Sequence, residues 1–309
     1  MKAAQITQFG GPEVIEIVEI EKPKPLPGQV LVKVYASSIN PIDYKVRQGM
    51  IPSMKFPFTL GSDIAGVVTE IGEGVEGFAV GNKVYGQAIS LAGASGAFAE
   101  FAAVSAKNIA KMPDAIDFNE AAAMVLAGVS AVQALTEHIK LVAGQRILIH
   151  GGAGGIGSIT IQIAKHLGAH VATTATGSGI EFVKKLGADE VIDYKVQKFE
   201  ELLSGYDAVF DTIGGEVYEK SFKVLKKNGI IISMVAADEK KLASQYGVTA
   251  IIQSTKVNSE NLNKLAELIE KKVVRPHIDK IYPIDNIKEA FQEAEAGQVL
   301  GKIVITISH

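Results

Sequence analysis

The 309-residue chain has no cysteine. Disulfides, cysteine-ligated zinc and thiolate catalysis are therefore excluded. Histidine is scarce, with six residues at positions 138, 150, 166, 170, 277 and 309, and no H-x-x-x-H pair sets two of them on one helix face. No metal is expected. There is no long basic run and the net charge is −3, so neither nucleic acid nor an anionic membrane surface is an expected partner. No unbroken apolar run reaches roughly 18 residues, so no membrane-spanning helix is expected. The opening MKAAQITQFGG alternates like a strand instead of reading as a charged-then-apolar leader. A cytoplasmic protein is expected. Apolar residues make up 47% of the chain, enough for a sizeable core, and the length leaves room for two domains.

The most informative segment that is present is RILIHGGAGGIG at 146–157. Its apolar start reads as a buried parallel strand, and Ser158 to Leu167 reads as a helix. Gly152, Gly154 and Gly157 between them fit the G-x-G-x-x-G fingerprint of a dinucleotide fold. In that fingerprint one glycine makes the tight turn, one lets the backbone approach a pyrophosphate, and one lets helix and strand pack closely. The whole turn, Gly152, Ala153, Gly154, Gly155, Ile156 and Gly157, is the expected cofactor cradle, because a helix N-terminus offers free N–H groups and a positive dipole end. His150 beside it reads as a packing or hydrogen-bonding residue.

The first third is β-rich, with strands read at 2–7, 14–20, 29–36, 64–71 and 98–104 between Gly and Pro punctuation. EKPKPLPGQ at 21–29 is a surface connection. Asp117 and Glu120 form a capping-box pattern ahead of an alanine-rich helix. Strands then alternate with helices: strands at 146–150, 169–174, 190–193, 207–211, 229–235 and 248–253, helices at about 130–141, 156–168, 179–186, 215–226 and 238–245. That alternation predicts an α/β fold, a doubly wound parallel sheet. Helices at 259–272 and 285–296 and a strand at 302–307 have no place in the sheet order, so they are expected to return to the first domain.

These residues resemble a known family, the zinc-free quinone oxidoreductase and enone reductase branch of the medium-chain dehydrogenase/reductases. The likeness covers nearly the whole chain. It rests on VLVKVYASSINPIDYKVRQG (30–49), PFTLGSDIAGVVTEIGEGV (57–75), VGNKVYG (80–86), AAAMVLAGVSAVQAL (121–135), the glycine turn, KKLGADEVIDY (184–194), the segment 206–234 and GKIVI (301–305). The resemblance implies a Rossmann sheet inserted into a GroES-like β-rich domain. The expected division is 1–124 completed by 258–309, with the dinucleotide-binding domain at 125–257. It also implies a homodimer, for which the strand-like GVTAIIQ (247–253) offers a sheet edge.

Zinc-dependent relatives carry a cysteine in the 37–43 region, a His-Glu pair near 62–63 and a four-cysteine lobe after 80–86. This chain has Asp43, Ser62 and Asp63 there and no lobe. Without a Lewis acid, alcohol oxidation is disfavoured. Hydride addition to the β-carbon of a conjugated carbonyl remains feasible, since the charge delocalises into an enolate that hydrogen bonds can stabilise.

The expected cofactor is NADPH. NAD selection uses an acid about 20 residues past the glycine turn, and the stretch from Ala172 to Ile180 contains none. Thr174, Thr176, Ser178 and the backbone of Gly177 and Gly179 offer a nest for a 2′-phosphate. The cation that the family commonly places at 178–179 is missing; by resemblance Tyr194 is a candidate cofactor-binding residue, and Lys195 after it reads either as a substitute for that cation or as a solvated surface lysine.

By resemblance, the segment INPIDYKVRQG lies against the nicotinamide, and Asn40, Tyr44 and Lys45 are the candidate catalytic residues. Lys45 occupies the position of a lysine in enone reductases, where an ammonium stabilises charge on the substrate oxygen. Asp43 and Arg47, four apart, read as a helical ion pair. Ser130 either contacts the nicotinamide amide or serves as a helix cap or back-bonded serine. Asp63 reads as an organiser of the domain junction. Asp211 ends a strand, which makes Thr212, Gly214 and Val235 candidates to line the cofactor crevice. Two functions are carried forward. The first is an NADPH-dependent, zinc-independent reductase of α,β-unsaturated carbonyls or quinones. The second is a non-catalytic NADP(H)-binding redox sensor or structural protein of the same fold.

Overall fold

The computed structural model describes residues 1–235 and 240–307. The start of the expected helix at 238–245 and His309 lie outside the described residues. The chain divides into two compact units, one formed by residues 1–126 with the chain from Val257 onward, the other by Ala127–Lys256.

The second unit is built on a parallel sheet, six-stranded among the described residues. In spatial order its strands are Glu190–Asp193, His170–Ala175, Arg146–Ile149, Tyr206–Asp211, Leu225–Ser233 and Thr249–Ile252. Numbered along this unit the order is 3-2-1-4-5-6, the doubly wound arrangement of dinucleotide folds. Ile147, Leu148 and Ile149 are fully buried. A central parallel strand is covered by helices on both faces, so it is apolar throughout instead of alternating. Arg146–Ile149 lies between His170–Ala175 and Tyr206–Asp211, in register Leu148↔Ala172 and Leu148↔Val209. The chain reverses its direction of travel across the sheet at this pair, so the crevice beyond their carboxyl ends is the ligand position of such a fold. Helix Gly155–His166 follows the first of these strands and Gly215–Ser221 the second. The latter is shorter than the expected 215–226, because the next strand already begins at Leu225.

The first unit holds a three-stranded sheet, order Glu16–Glu19, Lys2–Ile6, Phe58–Thr59, and a larger antiparallel-dominated sheet around Gln29–Ser38. The last described strand, Lys302–Thr306, pairs antiparallel with Gln29–Ser38 (Val304↔Ser38, Thr306↔Ala36) and parallel with Ile278–Pro283. The C-terminal segment thus completes the sheet formed by the N-terminal residues. Strand Phe101–Ser105 starts three residues later than the sequence pattern suggests, and a short 3₁₀ turn at Pro12–Val14 delays the second strand to Glu16.

The Asp117/Glu120 capping box is formed: Asp117 Oδ1 accepts from Glu120 N at 2.8 Å, and Glu120 Oε2 accepts from Asp117 N at 3.2 Å. The helix it opens, Phe118–Val132, passes into a π-helical stretch, Gln133–Ile139, instead of ending before a separate helix at 130. By length and composition Phe118–Ile139 is apolar enough to cross a membrane, which a search for an unbroken apolar run misses. However, 78% of its most apolar window is buried inside the protein, as in a core helix.

Candidate functional site

The glycine turn explains itself residue by residue. Gly151 has φ +69°, a conformation that a Cβ disfavours. A Cβ on Gly152 would stand 2.0 Å from Thr173 Oγ1 on the neighbouring strand, and one on Gly157 would stand 2.2 Å from the Gly151 carbonyl oxygen. These two glycines are required by the protein's own packing. Gly154 differs: its φ is −81°, and a Cβ there would meet nothing closer than the Gly151 oxygen at 3.5 Å. Among the described residues the space beside Gly154 is therefore open. Helix Gly155–His166 starts there with no side-chain cap, and the amides of Gly155, Ile156 and Gly157 have no backbone acceptor among the described residues. An open cradle facing uncapped N–H groups at the positive end of a helix suits a pyrophosphate.

The second wall of the crevice follows Asp211. Asp211 Oδ1 accepts from the amides of Ile213 (2.9 Å) and Gly214 (3.0 Å), and Oδ2 accepts from Ser233 Oγ (2.7 Å). This buried carboxylate folds the loop that carries Thr212, whose hydroxyl donates to the His150 carbonyl at 2.9 Å. Val235 is 44% exposed and stands over Gly214, where a Cβ would come within 2.8 Å of Val235 Cγ2.

The end of strand His170–Ala175 only partly matches its expected role. The Thr174 side chain is buried and turned inward, where Oγ1 accepts from Gly151 N at 3.1 Å and meets His150 Nδ1 at 3.2 Å. Its hydroxyl supports the glycine turn and does not face outward. The Gly179 amide is also committed, to Thr176 O at 3.0 Å. Thr176 is half-buried, and Ser178 is exposed in the first turn of helix Ser178–Lys185. Tyr194 is 58% exposed, and Lys195 beside it is exposed. The first acid after the strand, Glu181, pairs with Lys184 at 2.9 Å.

In the first unit, Tyr44 and Lys45 sit on helix Pro41–Arg47. Pro41 occupies its first turn, and the Asp43 carboxylate accepts from Asn40 N at 2.8 Å. Asp43, Val46 and Arg47 are buried, whereas Tyr44 and Lys45 are half-exposed. Burial pushes the Tyr44 phenol above its ordinary value, with Glu295 and Asp43 adding to the effect, so it remains a protonated donor at neutral pH. Arg47 does not pair with Asp43 as its i+4 spacing suggested. Its Nη2 binds Glu295 at 2.8 and 2.9 Å, because Asp43 is turned into the cluster beneath the helix.

That cluster gathers Asn40, Asp43, Ser62, Asp63 and Lys302, all buried. Lys302 Nζ donates to Ile39 O (2.7 Å) and Asn40 Oδ1 (2.5 Å), while Asn40 Nδ2 donates to Asp63 Oδ2 (2.7 Å) and lies 3.3 Å from Ser62 Oγ. Asn40 is 3% exposed and its amide is engaged at both ends. Its place is therefore inside the unit, anchoring the helix that carries Tyr44 and Lys45. Burial pushes the Asp43 carboxyl up to about 7, with the neighbouring Asp63 adding to the rise. Burial likewise raises Asp63 and lowers Lys302. Asp63 also accepts from Ser38 Oγ (3.1 Å) and Leu126 N (3.4 Å).

Ser130 is fully buried in the interior of helix Phe118–Val132, so it is not a cap; its Oγ lies 2.8 Å from Thr255 Oγ1.

Comparison with known proteins decides the family. Residues 26–114 match the alcohol dehydrogenase GroES-like domain, and residues 186–305 match a zinc-binding dehydrogenase domain. A 2-methylene-furan-3-one reductase of Solanum lycopersicum is 36% identical over 99% of this chain and 79% of that protein. The chain belongs to the quinone oxidoreductase and enone reductase branch of the medium-chain dehydrogenase/reductases. A quinone oxidoreductase structure from Coxiella burnetii superposes with a TM-score of 0.92 at 34% identity, covering 100% of this chain and 99% of that one. The Escherichia coli quinone oxidoreductase complexed with NADPH gives 0.91 at 27% identity, over 99% and 100%. The fold is that of the superfamily, a GroES-like domain with a Rossmann sheet.

The zinc in the description of one matching domain does not suit this family member. Among the described residues no three His, Cys, Asp or Glu side chains gather as a metal site. The two carboxyls at the relevant positions, Asp43 and Asp63, share their buried cluster with Lys302, whose Nζ donates to Asn40 Oδ1, and no third His, Cys, Asp or Glu side chain joins them as a metal ligand among the described residues. Sequence reading missed Lys302. Its one signal was a lysine opening the otherwise apolar strand KIVIT.

Proposed function

We propose that this protein is an NADPH-dependent oxidoreductase that reduces α,β-unsaturated carbonyls or quinones without a metal. The observation that carries the reading is the opening at Gly154, which faces three uncapped helix amides. NADPH is preferred to NADH because the strand end at 172–180 has no acid to repel a 2′-phosphate, and the next acid, Glu181, is paired with Lys184. The names of the relatives, an enone reductase and a quinone oxidoreductase complexed with NADPH, support the same chemistry.

Bound NADPH supplies the hydride, and the chain supplies the setting. Gly155, Ile156 and Gly157 hold the pyrophosphate by backbone donors. Lys45, which has no ion-pair partner among the described residues, stabilises negative charge on the carbonyl oxygen of the substrate, and Tyr44 is a second donor on the same helix. Asn40, Asp43, Asp63 and Lys302 hold that helix from below. The protein acts as a homodimer; the strand Thr249–Ile252 at the open edge of the six-stranded sheet, with Ile252 exposed, supports pairing with a second copy. A spectrophotometric screen of NADPH oxidation against small enones and quinones tests the reading. Turnover of at least one class is expected. Tight NADPH binding with no turnover of any of them would instead favour a non-catalytic redox sensor.

A further inference from the structure

His150 is fully buried directly before the glycine turn, and the hydrogen bonds around it admit one arrangement of protons. Ser221 Oγ lies 2.6 Å from the Val217 carbonyl, which can only accept, so the serine hydrogen is committed there. His150 Nε2, 2.9 Å from the same Ser221 oxygen, must then be the N–H donor. In the neutral ring Nδ1 is bare and accepts from the Thr174 hydroxyl at 3.2 Å. The Thr174 oxygen in turn accepts from the Gly151 amide at 3.1 Å. The chain of donors runs from Gly151 N–H through Thr174 to His150, and from His150 through Ser221 to the carbonyl of Val217. No link in it can be reversed without leaving a buried group unpaired.

We propose that His150, held as the neutral Nε2–H tautomer, is a positioning residue that fixes the Gly151 peptide through Thr174 and so presets the cradle for the dinucleotide pyrophosphate. The geometry gives this relay leverage. Gly151 carries the positive φ of the turn, its carbonyl accepts from Gly154 N at 3.0 Å, and a Cβ on Gly157 would strike that same carbonyl. The 150–151 peptide is held at its N–H by Thr174 and at its carbonyl by the Thr212 hydroxyl at 2.9 Å, and its orientation sets the φ of Gly151 and hence the direction of the Gly151 carbonyl. Ser221 ends the helix that begins at Gly215, so the ring also ties the glycine turn to the helix behind the other crevice wall. The edge of Phe199 stacks on the imidazole at 4.6 Å between centroids and fills the remaining side. Burial lowers the imidazole to about 4, so the neutral form persists across the ordinary pH range.

The inference rests on the reading of this turn as an NADPH site, and the test separates the two. Nitrogen NMR of the cofactor-free protein should find His150 as the Nε2–H tautomer and the Gly151 amide slow to exchange with solvent. Thr174→Val keeps the shape and removes the hydroxyl, and it should speed exchange at Gly151, as should His150→Phe. NADPH fluorescence, undisturbed because the chain has no tryptophan, should then report affinity about tenfold weaker in each variant, the expected loss of one buried hydrogen bond that orders the cradle. Activity at saturating NADPH should stay within about twofold, since no reacting atom is touched. The double variant should be no worse than either single one, because both act through one amide. Thr174→Ser, which retains the hydroxyl, should restore binding. An Nδ1–H tautomer, additive losses, or a Thr174→Ser protein as weak as Thr174→Val would overturn the proposal. Wild-type protein that shows the expected tautomer and protection yet does not bind NADPH would instead refute the cofactor reading and leave His150 a purely structural residue.

Discussion

Gly154→Ser separates the needs of the fold from those of the ligand. The backbone at Gly154 is extended, at φ −81° and ψ 177°, and its Cβ position is open. Serine is therefore accommodated without strain, and as an N-cap it is at least as good as glycine, worth a few tenths of a kcal/mol. Folding stability should hold or rise by about 1 °C in Tm. Binding should move the opposite way. The new side chain fills the space left for the pyrophosphate, and its hydroxyl oxygen can accept from the amides of Ile156 or Gly157, competing with the phosphate for the same donors. Losing one charge-assisted hydrogen bond of roughly 1.5–3 kcal/mol predicts NADPH affinity weakened by about ten- to a hundredfold. Gly157→Ala is the counterpart, since its Cβ would lie 2.2 Å from the Gly151 oxygen. Overpacking of this kind costs about 1–3 kcal/mol and should lower Tm by roughly 3–10 °C. Fluorescence titration and thermal unfolding on both variants give the two numbers. Gly154→Ser protein that binds NADPH as tightly as wild type would refute the assignment of the open side of the turn to the cofactor.

Lys45→Met keeps the stem and removes the charge, so kcat with the best enone should fall by roughly ten- to a thousandfold while NADPH affinity hardly changes; near-normal kcat would make Lys45 a surface residue. NADPH should bind more tightly than NADH, and a tenfold preference for NADH in the same titration would contradict the argument from the missing acid. Prolonged chelation should leave activity intact, since no cluster of metal ligands exists among the described residues; loss of activity restored by zinc would contradict this. Two buried groups oppose each other in the pH dependence of stability. His150 is depressed from 6.5 to about 4, so its contribution is present above 6.5 and lost as pH falls toward 4. Asp43 is raised from 3.8 to about 7, so its contribution is present at low pH and lost as pH rises through 7. His150→Gln removes only the first, so between neutrality and about pH 5 the variant should gain about 2 kcal/mol relative to wild type. Parallel pH curves for the two proteins would show that His150 is not a titrating core residue.

The sequence by itself determined what depends on local pattern. The glycine spacing after RILI, the alternation of apolar strands with amphipathic helices and the Asp117/Glu120 cap are each encoded within a few residues, and each is present in the structure. The absence of cysteine settled the question of cysteine ligands without any geometry. What tertiary structure alone decided lies in contacts between residues far apart in sequence. The i+4 spacing of Asp43 and Arg47 pointed to a helical pair, yet Arg47 reaches Glu295, 248 positions away. Lys302 reaches Asn40 from 262 positions away, and no periodicity announces that a lysine opening an apolar strand is buried against two carboxyls. Thr174 was legible as a residue at a strand end, but the direction of its hydroxyl depends on His150 and Gly151 across a neighbouring strand. Local sequence fixes backbone dihedrals through sterics and hydrogen bonding between near neighbours. The partners of a buried charge or hydroxyl are fixed only when folding removes water and forces each group to find a donor or acceptor in whatever part of the chain lies beside it.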